Sequence, residues 1–159
     1  MPNYYKNSRG DEVKDIIERV SIYLPNIFCF YEGNLIKYSC RWPYKGKSND
    51  LEKIITYADY VNDLICKENL GPRFEFANTS YSRWDNDYNT ACKISAIFIN
   101  DYKHCVSHNH KLGGLYQCIL NESLSWWTIP CDEARSVLFN LKNDCLEAIE
   151  CLESTEENI

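Results

Sequence analysis

Residues 27–42 read Ile27-Phe28-Cys29-Phe30-Tyr31-Glu32-Gly33-Asn34-Leu35-Ile36-Lys37-Tyr38-Ser39-Cys40-Arg41-Trp42, and the reading of this stretch decides the fold class. Ile27 to Glu32 and Leu35 to Trp42 are both rich in aromatic and β-branched side chains, which suit a pleated surface. Gly33-Asn34 between them is a two-residue hairpin signal, because glycine takes the positive φ that a tight primed turn requires. The expectation is a β-hairpin.

The flanks read as helices. Upstream, Val13, Ile16, Ile17, Val20 and Leu24 share one face at the 3.6-residue period and Pro25 stops the run, which predicts a helix over 11–24. Downstream, Leu51, Ile54, Ile55, Ala58, Val61, Leu64 and Ile65 keep the same period. Ser48 to Asp50 supply capping oxygens and Gly71-Pro72 a stop, which predicts a helix over 50–69.

Further along, Arg73–Ala77, Ala91–Tyr102, Leu115–Leu120 and Ser123–Ile129 read as strands, separated by polar loops at Asn78–Asn89 and Lys103–Gly114. If Ser123–Ile129 is a strand, Trp126 and Trp127 face opposite sides of the sheet. Pro130 then opens a last helix over 130–153, with Ala134, Val137, Leu138, Leu141, Cys145, Ala148, Ile149 and Leu152 as its buried stripe. Residues 154–159 read as a frayed acidic tail. The whole predicts a single α+β domain over 1–159, with an antiparallel sheet of about 4–6 strands and the three helices packed mainly on one face.

The chain has nine cysteines and no Cys-x-x-Cys spacing. Residues 1–15 lack the apolar core of a secretion signal, so the expectation is a reducing compartment in which most thiols act as small buried hydrophobes. No run is long and apolar enough for a membrane helix. The net charge of −6 argues against sequence-independent binding to phosphate backbones and fits a basic protein partner.

Four places carry residues with chemistry. His104, Cys105, His108 and His110 hold all three histidines and a thiol, the ligand types of zinc, but in no standard spacing, so no metal or cofactor is expected there. The same cluster is where a metal- or thiol-dependent enzyme would be centred. Against that stands the absence of G-x-S-x-G, a Gly-rich phosphate loop or H-E-x-x-H, and the chain is read as non-enzymatic. Arg41 to Lys47 interleaves cations with rings in a way that suits single-stranded nucleic acid. The acidic total favours a plain exposed connection there instead.

The last helix carries Asp144, Glu147, Glu150, Glu153, Glu156 and Glu157 in succession, and Asp144, Glu147 and Glu150, at a spacing of three, lie on the face away from Leu141, Cys145, Ala148 and Leu152. The segment Tyr81–Asn89 sets Trp84 and Tyr88 among Asp85 and Asp87, a composition that gives large contact area at low entropic cost. These eight residues, Trp84, Asp85, Asp87, Tyr88, Asp144, Glu147, Glu150 and Glu153, are the expected partner-binding set.

In length, in its abundance of Asn, Lys, Ile and Tyr with their AT-rich codons, in the acidic helix from Asp144 to Glu157 and in the aromatic–acidic segment Tyr81–Asn89, the chain resembles the small acidic anti-CRISPR proteins of phages and mobile elements. The resemblance implies direct inhibition of a CRISPR effector nuclease in the cytoplasm of a bacterial host, by blocking the nuclease or its nucleic-acid site without turnover. A bacterial immunity protein that neutralises a toxin would show the same surface. Direct binding to nucleic acid or membrane is not expected, and the aromatic surface is compatible with a homodimer.

Overall fold

The structure, a computed structural model, describes residues 5–25, 27–68 and 81–157. Its elements are the helices α1 (Val13–Ser21), α2 (Ile27–Arg41), α3 (Ser48–Glu68), α4 (Tyr81–Cys105), α5 (His110–Ser125) and α6 (Cys131–Glu157), with a 3₁₀ turn at Trp126–Thr128 between the last two. Among the described residues, β pairing is confined to one isolated bridge between Lys6 and Glu12. The α+β expectation is overturned: no antiparallel sheet exists among these residues for helices to cover.

The correction begins at residues 27–42. The expected hairpin is the single helix α2, in which Phe28, Glu32, Leu35, Ile36, Ser39 and Cys40 are buried. Their spacing of threes, fours and ones is that of a helix, and Tyr38 and Arg41 extend the burial beyond that face. Gly33-Asn34 lies inside that helix and makes no turn. The expected strand Ala91–Tyr102 belongs to α4, with Ala91, Ile94, Ser95, Phe98, Ile99 and Tyr102 buried at the same period. Leu115–Leu120 belongs to α5, where Leu112, Leu115, Tyr116, Ile119 and Leu120 are buried. Ser123–Ile129 completes α5 and forms the 3₁₀ turn, so Trp126 and Trp127 are both buried and neither faces out. The expected strand Arg73–Ala77 lies outside the described residues. The loop expected over 78–89 is helical from Tyr81, and the one over 103–114 shrinks to the turn between Cys105 and His110. The three predicted helices correspond to α1, α3 and α6.

Helix α2 packs on α1, α3 and α5, while α5 packs on α2, α4 and α6; α1 also meets α4, and α3 meets α6. The helices therefore close two rings, α2–α3–α6–α5 and α1–α2–α5–α4, which share the α2–α5 pair. A helix that serves two rings must bury more than one face, and it loses the clean amphipathic stripe of a surface helix. Polar ties hold the shared pair: Ser39 Oγ and Ser123 Oγ lie 2.7 Å apart, and Tyr116 Oη donates to the Cys40 carbonyl at 2.9 Å. Trp42, Tyr102 and Tyr116 pack around this junction, the two tyrosine rings 4.8 Å apart.

The α2–α3 corner is fixed by charge. Arg41 Nε donates to one Asp50 oxygen at 2.9 Å and Nη2 to the other at 3.1 Å, a bidentate pair, while Nη1 donates to Tyr5 Oη at 2.9 Å. Asp50 is 1% exposed. Gly46 lies against this carboxylate so closely that a Cβ there would sit 2.0 Å from it. Lys47, with φ of 47°, takes the left-handed conformation that turns the chain into α3.

The eight cysteines with described side chains form no disulfide with one another. Cys40 and Cys145 are buried, Cys92 and Cys151 half-buried, and Cys29, Cys66, Cys105 and Cys118 exposed. The expectation that most are buried hydrophobes is not met.

Removing one partner of a buried ion pair leaves the other charge desolvated and unpaired. Asp50→Asn is expected to cost about 3–5 kcal/mol. For a chain of this size that lowers Tm by roughly 6–20 °C. Gly46→Ala should act in the same direction by displacing the carboxylate. A thermal melt that shows Asp50→Asn within a degree or two of the parent would remove the pair from its structural role.

Candidate functional site

Helix α6 presents two long faces. Ala134, Leu138, Leu141, Cys145 and Ala148 are buried against α3 and α5. On the opposite side Phe139, Asn143, Leu146, Glu150 and Glu153 are exposed, at spacings of four, three, four and three. These spacings keep all five on one stripe. Phe139 is 63% and Leu146 52% exposed, large apolar groups left in water beside two carboxylates. Next to Phe139 a cleft of about 500 Å³ opens between α3 and α6, with Asp59, Asn62, Arg135 and Lys142 in its wall.

The acidic residues expected on this face divide. Glu150 and Glu153 lie on the stripe. Glu147 is exposed on its edge and pairs with Lys111 at 3.2 Å. Asp144 turns toward α5 and is half-buried beside Glu122.

The aromatic–acidic residues lie elsewhere. Trp84 and Tyr88, one turn apart on α4, stack at 5.4 Å and 8°, and both set their edges against buried Trp127, at 6.0 and 5.8 Å. Tyr88 Oη also donates to the Leu124 carbonyl at 3.3 Å. Asp87 accepts a hydrogen bond from Tyr23 Oη, and burial with this bond pushes the Tyr23 hydroxyl up to about 12. Asp85 is half-buried. Trp84 and Tyr88 therefore face the C-terminal end of α5, whereas Glu147 pairs with a residue at its N-terminal end. The structure does not bring the two halves of the expected binding set together.

His104, Cys105, His108 and His110 are all exposed, strung from the end of α4 across the turn to the start of α5. Among the described residues the donors that do converge are Cys118, Glu122 and Asp144, whose ligand atoms lie within 4.8 Å of one another. Sequence could have offered only two of these three, the i, i+4 pair Cys118 and Glu122 on α5; Asp144 arrives through the α5–α6 packing. Both Glu122 oxygens are cut off from solvent without a hydrogen bond of ordinary geometry. Burial, then the neighbouring Asp144 as acceptor and as negative charge, push the Glu122 carboxyl up to about 9. Three donors fall short of the four that close a structural zinc site. At neutral pH the Glu122 carboxyl therefore keeps its proton beside Asp144.

A second acid sits deeper. Glu32 on α2 is fully buried, neither oxygen has a hydrogen-bond partner, and burial holds its carboxyl well above the usual range. The Trp126 indole N–H works in the opposite sense, favouring the charged form without reaching hydrogen-bonding geometry.

A family described as a protein of unknown function, DUF3310, matches residues 1–59, the segment from the N-terminus into the middle of α3. No curated protein and no solved structure matches the chain. No helix among the described residues is long and apolar enough to cross a membrane.

Glu122 and Glu32 hold protons in the folded state that the unfolded chain releases in the ordinary carboxylate range. Above that range the unfolded state binds fewer protons, so stability falls as pH rises. Thermal melts from about pH 6 to about pH 9 should show a declining Tm, and Glu122→Gln and Glu32→Gln should each flatten the decline. Each kcal/mol regained at the alkaline end appears as roughly 2–4 °C. Variants whose Tm falls as steeply as the parent's would show that both carboxyls are ionised in the fold.

Proposed function

We propose that the protein is a non-enzymatic binding protein that inhibits a basic, nucleic-acid-processing partner through the outward face of α6. The observation that carries this reading is the stripe Phe139, Leu146, Glu150 and Glu153, which joins two exposed large apolar side chains to two carboxylates on one helix. An apolar anchor with charge beside it is the usual make-up of a helix that docks into a groove. The net charge of −6 favours a basic partner and would speed encounter with it. Glu147, tied to Lys111, contributes little by comparison, as exposed pairs do. Trp84, Asp85, Asp87 and Tyr88 have no part in this face, and the reading does not use them. The partner class includes a CRISPR effector nuclease, the target implied by the resemblance in length, composition and acidic helix.

The test is inhibition. Purified protein added to CRISPR effector nucleases should slow target cleavage at near-equimolar ratio, with inhibition weakening as salt rises. Glu150→Lys with Glu153→Lys should relieve it about tenfold or more, since like charges set face to face cost several kcal/mol. Phe139→Ala should relieve it as well. If no effector is slowed, and affinity capture at low salt retains no basic nucleic-acid enzyme that the charge reversals release, the reading fails.

A further inference from the structure

The acidic total conceals one face of the opposite character. On the outer side of the α2–α3 pair, Phe30, Tyr31, Tyr38, Tyr57 and Tyr60 form a continuous set of rings. Tyr57 lies at its centre, 6.1 Å from Phe30, 6.0 Å from Tyr31, 6.1 Å from Tyr38 and 6.0 Å from Tyr60. Phe30 is 54% and Tyr60 49% exposed, and Tyr31 and Tyr57 are half-buried.

Three cations gather at the Tyr38 end. Lys37 Nζ lies 5.4 Å, Lys53 Nζ 4.9 Å and Arg41 Cζ 4.9 Å from the same ring centroid. The Arg41 charge is answered by Asp50. Lys37 and Lys53 have no carboxylate within ion-pair distance among the described residues. Two ammoniums held around one ring repel each other, and the ring face offsets only part of that. Anions bound at the two ammoniums relieve the conflict.

We propose that this face binds single-stranded nucleic acid, with Lys37 and Lys53 on the phosphates and bases stacked on Tyr60 and Phe30. Rings that stand open beside unpaired cations are what sequence-tolerant single-strand binding uses, because every base offers a flat π face. A duplex keeps its bases stacked within itself and could use the lysines alone. The patch is local, so a negative total does not oppose it beyond about a Debye length, roughly 8–10 Å. The match to DUF3310 spans residues 1–59 and takes in every residue of the patch except Tyr60. The proposal is independent of the α6 reading, uses a different face and requires no protein partner.

The experiment is fluorescence anisotropy of a labelled oligothymidylate of roughly a dozen nucleotides, within the span one small binding face covers, titrated with the full chain. Saturable binding at low salt is expected. With two phosphates engaged, a fourfold rise in salt should weaken it about sevenfold. Lys37→Gln with Lys53→Gln should weaken it roughly tenfold and flatten the salt dependence. Tyr60→Ala should weaken it at least about fivefold, the low end for loss of one stacked base. All substituted side chains are at least partly exposed, and matching thermal melts establish that the variants fold. No binding at low salt overturns the proposal. So does binding that the lysine pair and Tyr60→Ala leave unchanged, or equal affinity for a duplex of the same length. Loss of CRISPR inhibition would not bear on it.

Discussion

The bidentate pair between Arg41 and Asp50 is the constraint on which the rest of the arrangement depends. It ties the last turn of α2 to the first turn of α3, and through Tyr5 it brings in the segment before α1. A buried ion pair is a poor source of net stability, since desolvation consumes most of the attraction. Its value here is geometric. With Asp50 almost fully enclosed and Gly46 pressed on it, the reversal between the helices has little room for alternatives. The angle of α3 against α2 then sets where α6 can lie, and α6 closes one ring of the bundle.

The same architecture explains which parts of the fold were legible in the sequence. Helices α1, α3 and α6 each show a regular apolar stripe, and their periodicity could be read. The stretches taken for strands lie in α2, α4 and α5. Leu35-Ile36-Lys37-Tyr38, Ile94-Ser95-Ala96-Ile97-Phe98-Ile99 and Leu115-Tyr116-Gln117-Cys118-Ile119-Leu120 are dense apolar runs. Helices α2 and α5 bury residues toward both rings, which fills the gaps that would mark a 3.6 period. A short dense run cannot be told from a buried strand by periodicity alone. Aromatic and β-branched residues then tilt the reading toward a sheet, although tertiary burial overrides that propensity. Gly33-Asn34 added a false turn. Inside a helix such a glycine costs about 1 kcal/mol relative to alanine. Space does not demand it, because a Cβ at Gly33 would make only an ordinary contact, 3.6 Å from Ile17.

The candidate sites were legible in parts for a related reason. Acidic residues on α6 could be found from spacing; Glu150 stands on the outward face where spacing puts it, whereas Asp144, expected beside it, turns toward Glu122 on α5. Phe139 and Leu146 are not legible in the same way, because hydrophobic residues outside a stripe have no sequence signature of exposure. Trp84 and Tyr88 looked like surface anchors from composition, yet they stack on each other and close over Trp127. The basic face was hidden twice over. Its lysines are outnumbered in the charge total, and its rings come from two helices, one of which reads as a hairpin in sequence. A pattern that exists only across a helix pair cannot be seen until both members are known to be helices.

The extent of the DUF3310 match bears on how that segment can exist. Residues 1–59 supply α1, α2 and the first half of α3, with the ion pair and nearly all of the basic aromatic face. They do not supply what covers the inner side of α2. Ser39 and the Cys40 carbonyl are bonded to Ser123 and Tyr116 on α5, Phe28 packs on Trp126, and α1 packs on α4. Cut away from α4, α5 and the 3₁₀ turn, the segment would lose the cover over Phe28, Ser39, Cys40 and the carboxyl of Glu32. A chain of fewer than about 60 residues has little apolar area in reserve against such a loss. The matched segment therefore needs a partner surface, which α4, α5 and the 3₁₀ turn provide here. Because α2 is the wall between that core and the outer ring cluster, the rigidity of the basic face is set by packing that lies outside the match.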